Sequence, residues 1–350
     1  MATARSFPYH IVAQGGITAF NNPGGQVWYV GASGYVAAGG GSAPADTLSG
    51  KSPQKPFATI QKGLDSAVAG RGDIVAVLPG AYTITAALTM SKDDVTLTAA
   101  QSVGPHEYPN VTIVCATDVS EIEINANNCT VASLAFDDNV TAATVNTAII
   151  DVNTASTATD YTGTRIINCW FDMVGMTDSD KDGIILGTDA TDGALKSLVQ
   201  GCTILDAGQN GITINVGSEY SEIRDCKIYD AADLTQYGVE VLATSVTIEG
   251  CDILVSSNLP GACIHNGVGA ARLVANNNTL HAWGADTTAI LAIATATQRT
   301  AANWLTATAV GNLADYITDN TSPSADANVA GWFAADSPQA AFDTPTDDGA

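Results

Sequence analysis

The chain has 350 residues, 46% of them hydrophobic and 14% charged, which is ample for an extended core and excludes general disorder. Its 36 acidic residues against 13 basic ones give a formal net charge of −23, so approach to polyphosphate or an anionic lipid surface is unfavourable and neither nucleic acid nor membrane is expected as a partner. No run of about 18 apolar residues is present, and residues 1–16 lack the apolar stretch of a secretion signal, so membrane spanning and classical export are not indicated.

Residues 1–26 carry Gly15-Gly16 and Asn21-Asn22-Pro23-Gly24-Gly25, the composition of an N-terminal arm rather than of a core. Apolar residues then fall at Phe57, Ile60, Leu64, Ala67 and Val68, a helical spacing that predicts a short helix capping the open end of whatever follows. Residues 72–82 read as a buried strand closed by the Pro79-Gly80 turn.

Further on a short phrase recurs around Cys169, Cys202, Cys226 and Cys251, with a fifth copy around Asn278, at intervals of 33, 24, 25 and 27 residues. These are solenoid periods. The residue before each of these positions is Asn168, Gly201, Asp225, Gly250 or Asn277, types that tolerate a left-handed turn conformation. Two residues beyond come Phe171, Ile204, Ile228, Ile253 and Leu280, on the same inward strand face as the Cys position. Asn128-Cys129 fits as an earlier copy, with the Thr- and Asp-rich stretch from Asp137 to Thr164 read as a loop extending one coil. A second phrase begins at Asp182-Gly183, Asn210-Gly211 and Tyr237-Gly238, so each coil has at least two strands and two corners. The predicted fold is all-β, a right-handed parallel β-helix over residues 27–300 with a short N-terminal capping helix, about nine coils lying between Ile74 and Thr300. Residues 301–350 are expected to form a C-terminal cap and a flexible acidic tail. The seven cysteines, odd in number and without C-x-x-C spacing, read as reduced, buried thiols.

Two groups of aspartates carry the chemistry the sequence offers. Asp178, Asp180 and Asp182, followed by Gly183 and Asp189, place oxygen ligands at the alternating positions of a calcium loop, although Asp182-Gly183 also reads as the repeat's own turn. Calcium is the one cofactor so indicated. Asp172, Asp206 and Asp230 follow the Cys phrase on consecutive coils and are candidate catalytic carboxylates if they stack near the 5 Å or so of retaining glycosidases; Asp137-Asp138 is a second candidate pair. The structural alternative is that these aspartates cap turns. Arg224, the basic residue nearest such a group, sits beside the corner residue Asp225 and reads as part of a surface ion pair. No G-x-S-x-G elbow, H-E-x-x-H or Gly-rich phosphate loop is present.

Val27-Trp28-Tyr29-Val30, Gly50-Lys51-Ser52-Pro53, Lys55-Pro56-Phe57 and Gly72-Asp73-Ile74-Val75 with Pro79-Gly80-Ala81-Tyr82 resemble the opening of pectate-lyase-like β-helix proteins. That superfamily includes polysaccharide lyases, hydrolases and bacteriophage virion proteins, tailspikes among them. With no recognisable active site, the resemblance implies a non-enzymatic virion protein, either a capsid decoration or head-fibre protein or a structural tail component. It further implies a homotrimer on the virion surface, docked on the major capsid or another virion protein and made in the host cytoplasm. The rival expectation is a tailspike-type depolymerase, lyase or glycoside hydrolase, or an adhesin that binds a surface glycan.

Overall fold

Each period of the repeat folds into three short strands, one more than the two phrases reveal. In the computed structural model, residues 24–36, 40–138, 147–154, 159–174, 181–229, 237–255, 261–267, 273–282, 287–292, 299–301, 304–307 and 333–334 are described. One coil runs Leu198–Gln200, Thr203–Leu205, Asn210–Ile214, and the next Glu222–Arg224, Lys227–Tyr229, Tyr237–Val241. Equivalent strands pair in parallel, building sheets A and B of ten strands and sheet C of eight among the described residues. This is a parallel β-helix with right-handed coiling. Beyond residue 300, Trp304–Ala307 and Phe333–Ala334 carry sheet B onward.

The corner from A to B is the tightest. Ser133, Asn168, Asp225 and Asn277 adopt φ of 56°, 52°, 50° and 54°, and Gly201 and Gly250 take 65° and 68°, so one left-handed residue turns the chain in each coil. Successive corners interlock. A Cβ on Gly201 would lie 2.3 Å from Asn168 Oδ1, and one on Gly250 2.7 Å from Asp225 Oδ1, so each polar side chain lies over the bare glycine of the next coil.

Inward residues form columns that fill the coil. Ile166, Val199, Ile223 and Ile248 stack from sheet A, Phe136, Phe171, Ile204, Ile228 and Ile253 from sheet B, and Ile184, Ile212, Val239 and Ile264 from sheet C, all buried. Burial of each contributes roughly 1.5–3 kcal/mol. Phe136 and Phe171 stack with centroids 5.1 Å apart. Cys169, Cys202, Cys226 and Cys251 stand in line behind the corner, and all seven cysteines are buried and free of disulfides.

Three readings of the sequence are corrected by the register. Asn128-Cys129 is not a copy of the Cys phrase: Val131 pairs with Ile166 in sheet A and Ala135 with Trp170 in sheet B, so Leu134 stands where Cys169 does one coil later. The stretch from Asp137 to Thr164 is not a single loop, because it contains the sheet C strand Thr147–Val152 and the short strand Tyr161–Thr162. Asp182-Gly183, Asn210-Gly211 and Tyr237-Gly238 are not turns but the openings of sheet C strands. Their glycines are needed because a Cβ on Gly183, Gly211 or Gly238 would meet the next coil's carbonyl oxygen at 2.5–2.6 Å.

At the N-terminal end the helix is Ile60–Ser66, shorter than the apolar spacing suggested. Thr59 caps it by accepting from Lys62 N, and Gly63 lets it approach so closely that a Cβ there would lie 2.7 Å from Val75 Cγ1. Before it, Val27–Val30 pairs with Ile74–Val77 as the first strand of sheet A, and its outer edge is covered where Tyr29 bonds Gly50 O and Phe57 N.

Candidate functional site

The catalytic candidates do not stack as a set. Asp172 lies opposite Leu205 on the next coil, whereas Asp206 sits one position later at a left-handed corner with φ 52°. Asp230 lies outside the described residues. The coil before brings Asp137 into register with Asp172, so a carboxylate pair does form on neighbouring strands, from one member of each candidate group. Burial pushes Asp137 above the ordinary carboxylate range, helped by the charges of Asp172 and Asp138. Asp172 also accepts from Val174 N at 3.3 Å, a local turn bond.

Of the calcium-loop residues, Asp178 and Asp180 lie outside the described residues. Asp182 is buried in sheet C and accepts from Asn210 N at 2.9 Å and from Thr213 Oγ1 at 2.7 Å. Asp189 holds its own turn through Thr191 N and Oγ1 and Asp192 N. Both described members therefore spend oxygens on protein donors.

Asp182 belongs instead to a polar strip on the outer side of sheet C. Register places Thr213, Glu240 and His265 on successive strands, and Glu123 beside Asp151 two coils before Thr213. Asn210 Nδ2 donates to Thr213 Oγ1 at 3.0 Å and to Glu240 Oε2 at 3.2 Å, while His265 Nδ1 lies 3.3 Å from Glu240 Oε1. The Tyr237 ring stacks on His265 at 4.0 Å. Burial pushes Asp182 to about 7 against the opposing hydrogen bonds from Thr213 and Asn210, and Asp151 to about 7 with help from the Glu123 charge. Chemically this is a row of proton-holding carboxyls beside a more exposed Glu240 and an aromatic-stacked imidazole. Sequence reading missed it because the strip is assembled from single residues roughly 27 apart.

A second group lies at the corner between sheets B and C. Ligand atoms of Cys115, Glu121 and Asp138 fall within 4.8 Å of one another, all buried. The Lys181 ammonium sits among them, hydrogen-bonded to Asp138 Oδ2, donating to Val119 O at 3.0 Å and lying 4.0 Å from Glu121 Oε1. A cationic side chain thus already stands where a metal ion would, and the donor set mixes a soft thiol with hard carboxylates. The described residues at this corner fit a buried ion-pair group better than a cation site.

No protein-family model matches the chain, and no curated protein matches it in sequence. Solved structures do match in shape. A rhamnogalacturonan lyase superposes with a TM-score of 0.50 at 13% identity, covering 81% of this chain and 74% of the lyase. The pectate lyase Pel9A gives 0.51 at 12% identity, covering 81% and 69%. A tailspike protein mutant of E. coli bacteriophage HK620, solved in complex with a pentasaccharide, gives 0.51 at 13% identity and covers 70% of this chain. The chain spans under half of that tailspike, 45% of its length. With three parallel sheets coiled around one apolar core and these shape matches, the chain has the pectate-lyase-like parallel β-helix fold, shared by carbohydrate-active enzymes and phage tailspikes.

Proposed function

We propose that the protein is a non-enzymatic structural component of a bacteriophage virion, a capsid decoration or head-fibre protein or a structural tail component. The observation carrying this reading is the uneven distribution of connections around the coil. From Ala132 onward every A-to-B corner in the described residues is a two-residue step, so sheets A and B form one wall about 30 Å long, its first corners covered by the 100–110 connection through Val103 at Ser133 and Asn168 and His106 at Gly201. Apart from the 100–110 connection, which joins sheet A to sheet B, the longer connections leave from either side of sheet C. The wall's charges are mixed and partly paired, with Arg224 on Glu222 at 3.0 Å and His281 on Asp252 at 3.2 Å, whereas the sheet C strip is acidic. The part of this wall beyond Thr203, free of long A-to-B connections and with its charges partly paired, suits lateral packing of like rods as a homotrimer docked on a capsid or tail protein, with the loop-bearing side outward.

Copy number tests this reading. Quantitative mass spectrometry of purified particles is expected to find dozens to hundreds of copies per particle for a decoration or head-fibre protein, and a few for a tail component. Absence from particles would sink it.

A glycan-processing or glycan-binding role is the second reading, favoured by the sheet C strip. Asp182 and Glu240 are joined through Thr213 Oγ1 and Asn210 Nδ2 by hydrogen bonds of 2.7, 3.0 and 3.2 Å, which keeps their carboxyls within about 9 Å, inside the span of an inverting acid and base pair. On this reading a polysaccharide panel releases reducing ends with the wild type and not with Glu240→Gln. Binding without release would indicate an adhesin.

A further inference from the structure

The buried group at the corner between sheets B and C has the makings of a covalent clasp. Glu121 and Asp138 are fully buried and Lys181 is 1% exposed, so no water solvates the three. Among the described residues no N–H or O–H donor is hydrogen-bonded to either oxygen of Glu121. A bare buried carboxylate of that kind is costly, and the cost is removed if it holds a proton. Burial pushes Glu121 well above the ordinary range, outweighing the opposing charge of Lys181. An amine in contact with a carboxyl, beside a protonated carboxyl and walled off from water, is the arrangement that amide condensation requires.

We propose that Lys181 and Asp138 join in an intramolecular isopeptide bond, with Glu121 as the proton-transfer residue. Moving one proton from the ammonium to the Asp138 carboxylate leaves a neutral amine facing a carboxylic acid. The Nζ lone pair attacks Asp138 Cγ and the C–N bond forms. Glu121 takes the proton released by nitrogen and passes its own to the departing hydroxyl, so the C–O bond breaks and water leaves. Glu121 ends as it began, and no oxidant, reductant or co-reactant enters.

The position explains what such a bond would do. Asp138 follows the sheet B strand of one coil and donates its N–H to Asp172 O of the next. Lys181 opens the sheet C strand of that next coil. The bond therefore staples successive coils at the corner from sheet B to sheet C.

Intact-mass measurement of the reduced, denatured full chain tests the proposal. The wild type is expected to weigh one water molecule less than its sequence, and its peptide map to show the segments containing Asp138 and Lys181 as one branched species. Glu121→Gln and Lys181→Arg are expected to carry the full sequence mass with a wild-type far-UV spectrum. A wild type of full mass would overturn the proposal and leave a buried ion pair. So would a missing water that persists in Lys181→Arg, since dehydration at Asp182-Gly183 would then account for it. Should either variant fail to fold, the wild-type peptide map decides alone.

Discussion

At Asp73 burial pushes the carboxyl pKa up, yet hydrogen bonds from Arg71, Gln26 N, Trp28 Nε1 and Val68 N hold it down at about 2. A carboxyl depressed from about 3.9 contributes stability that is complete above pH 4 and lost as pH falls towards 2, about 2 kcal/mol in all. Asp73→Asn should therefore lower the urea midpoint at pH 7, and the gap from wild type should narrow steadily as pH falls from about 4 towards 2. Asp151 and Asp182 behave oppositely. Burial raises each to about 7, so the folded chain holds protons the unfolded chain has released, and stability declines as pH rises from about 4 through 7. Asp151→Asn, which removes that titration, is expected to flatten the decline, and urea melts between pH 5 and 8 would show an unchanged slope if the assignment is wrong. The three aspartates look alike in sequence; the number of donors the fold aims at each decides which way it shifts.

Glycines and corner residues act at the level of the element. Gly211 opens a sheet C strand, and a Cβ there would meet Gly238 O and Ile228 Cγ2 at 2.5 Å. Gly211→Ala should cost on the order of 2–3 kcal/mol by overpacking, whereas Gly24→Ala, with nothing within 4 Å, should be neutral in the same thermal melts. The left-handed corners were legible because Asn, Asp and Gly recur before the Cys position. The sheet C glycines were misread as turns because Asp-Gly and Asn-Gly signal turns locally, while crowding from the neighbouring coil is invisible in sequence. The inward cysteines follow from the alternation, and burial pushes the thiols of Cys129 and Cys263 up to about 12. Iodoacetamide at pH 8 should leave all seven unmodified in the native protein and alkylate all seven in guanidinium. Rapid native labelling of any would contradict their placement.

For the whole molecule, stability is the sum of coil contributions and the contacts between adjacent coils, so interruptions matter by where they fall. A short Gly-Ser insertion between Gly250 and Cys251 breaks the left-handed corner and its interlock with Asp225, and is expected to abolish cooperative folding. The same insertion within residues 242–245, a connection from sheet C to sheet A, should lower the thermal midpoint by only a few degrees, because lengthening a surface loop costs little. Equal effects at the two places would argue against the A-to-B corner as the rigid edge of the rod.

The sequence by itself determined the solenoid, its inward columns and its Asn/Gly/Asp corner, because all three arise from short-range rules repeated at a near-constant period. The capping helix was legible for the same reason. Only the tertiary structure decided the third strand of each coil, the pairing of Asp137 with Asp172, the sheet C strip and the meeting of Glu121, Asp138 and Lys181. Those groupings depend on how many residues each connection consumes before the chain returns to the same face. That length differs from coil to coil, and only the inter-strand register records it.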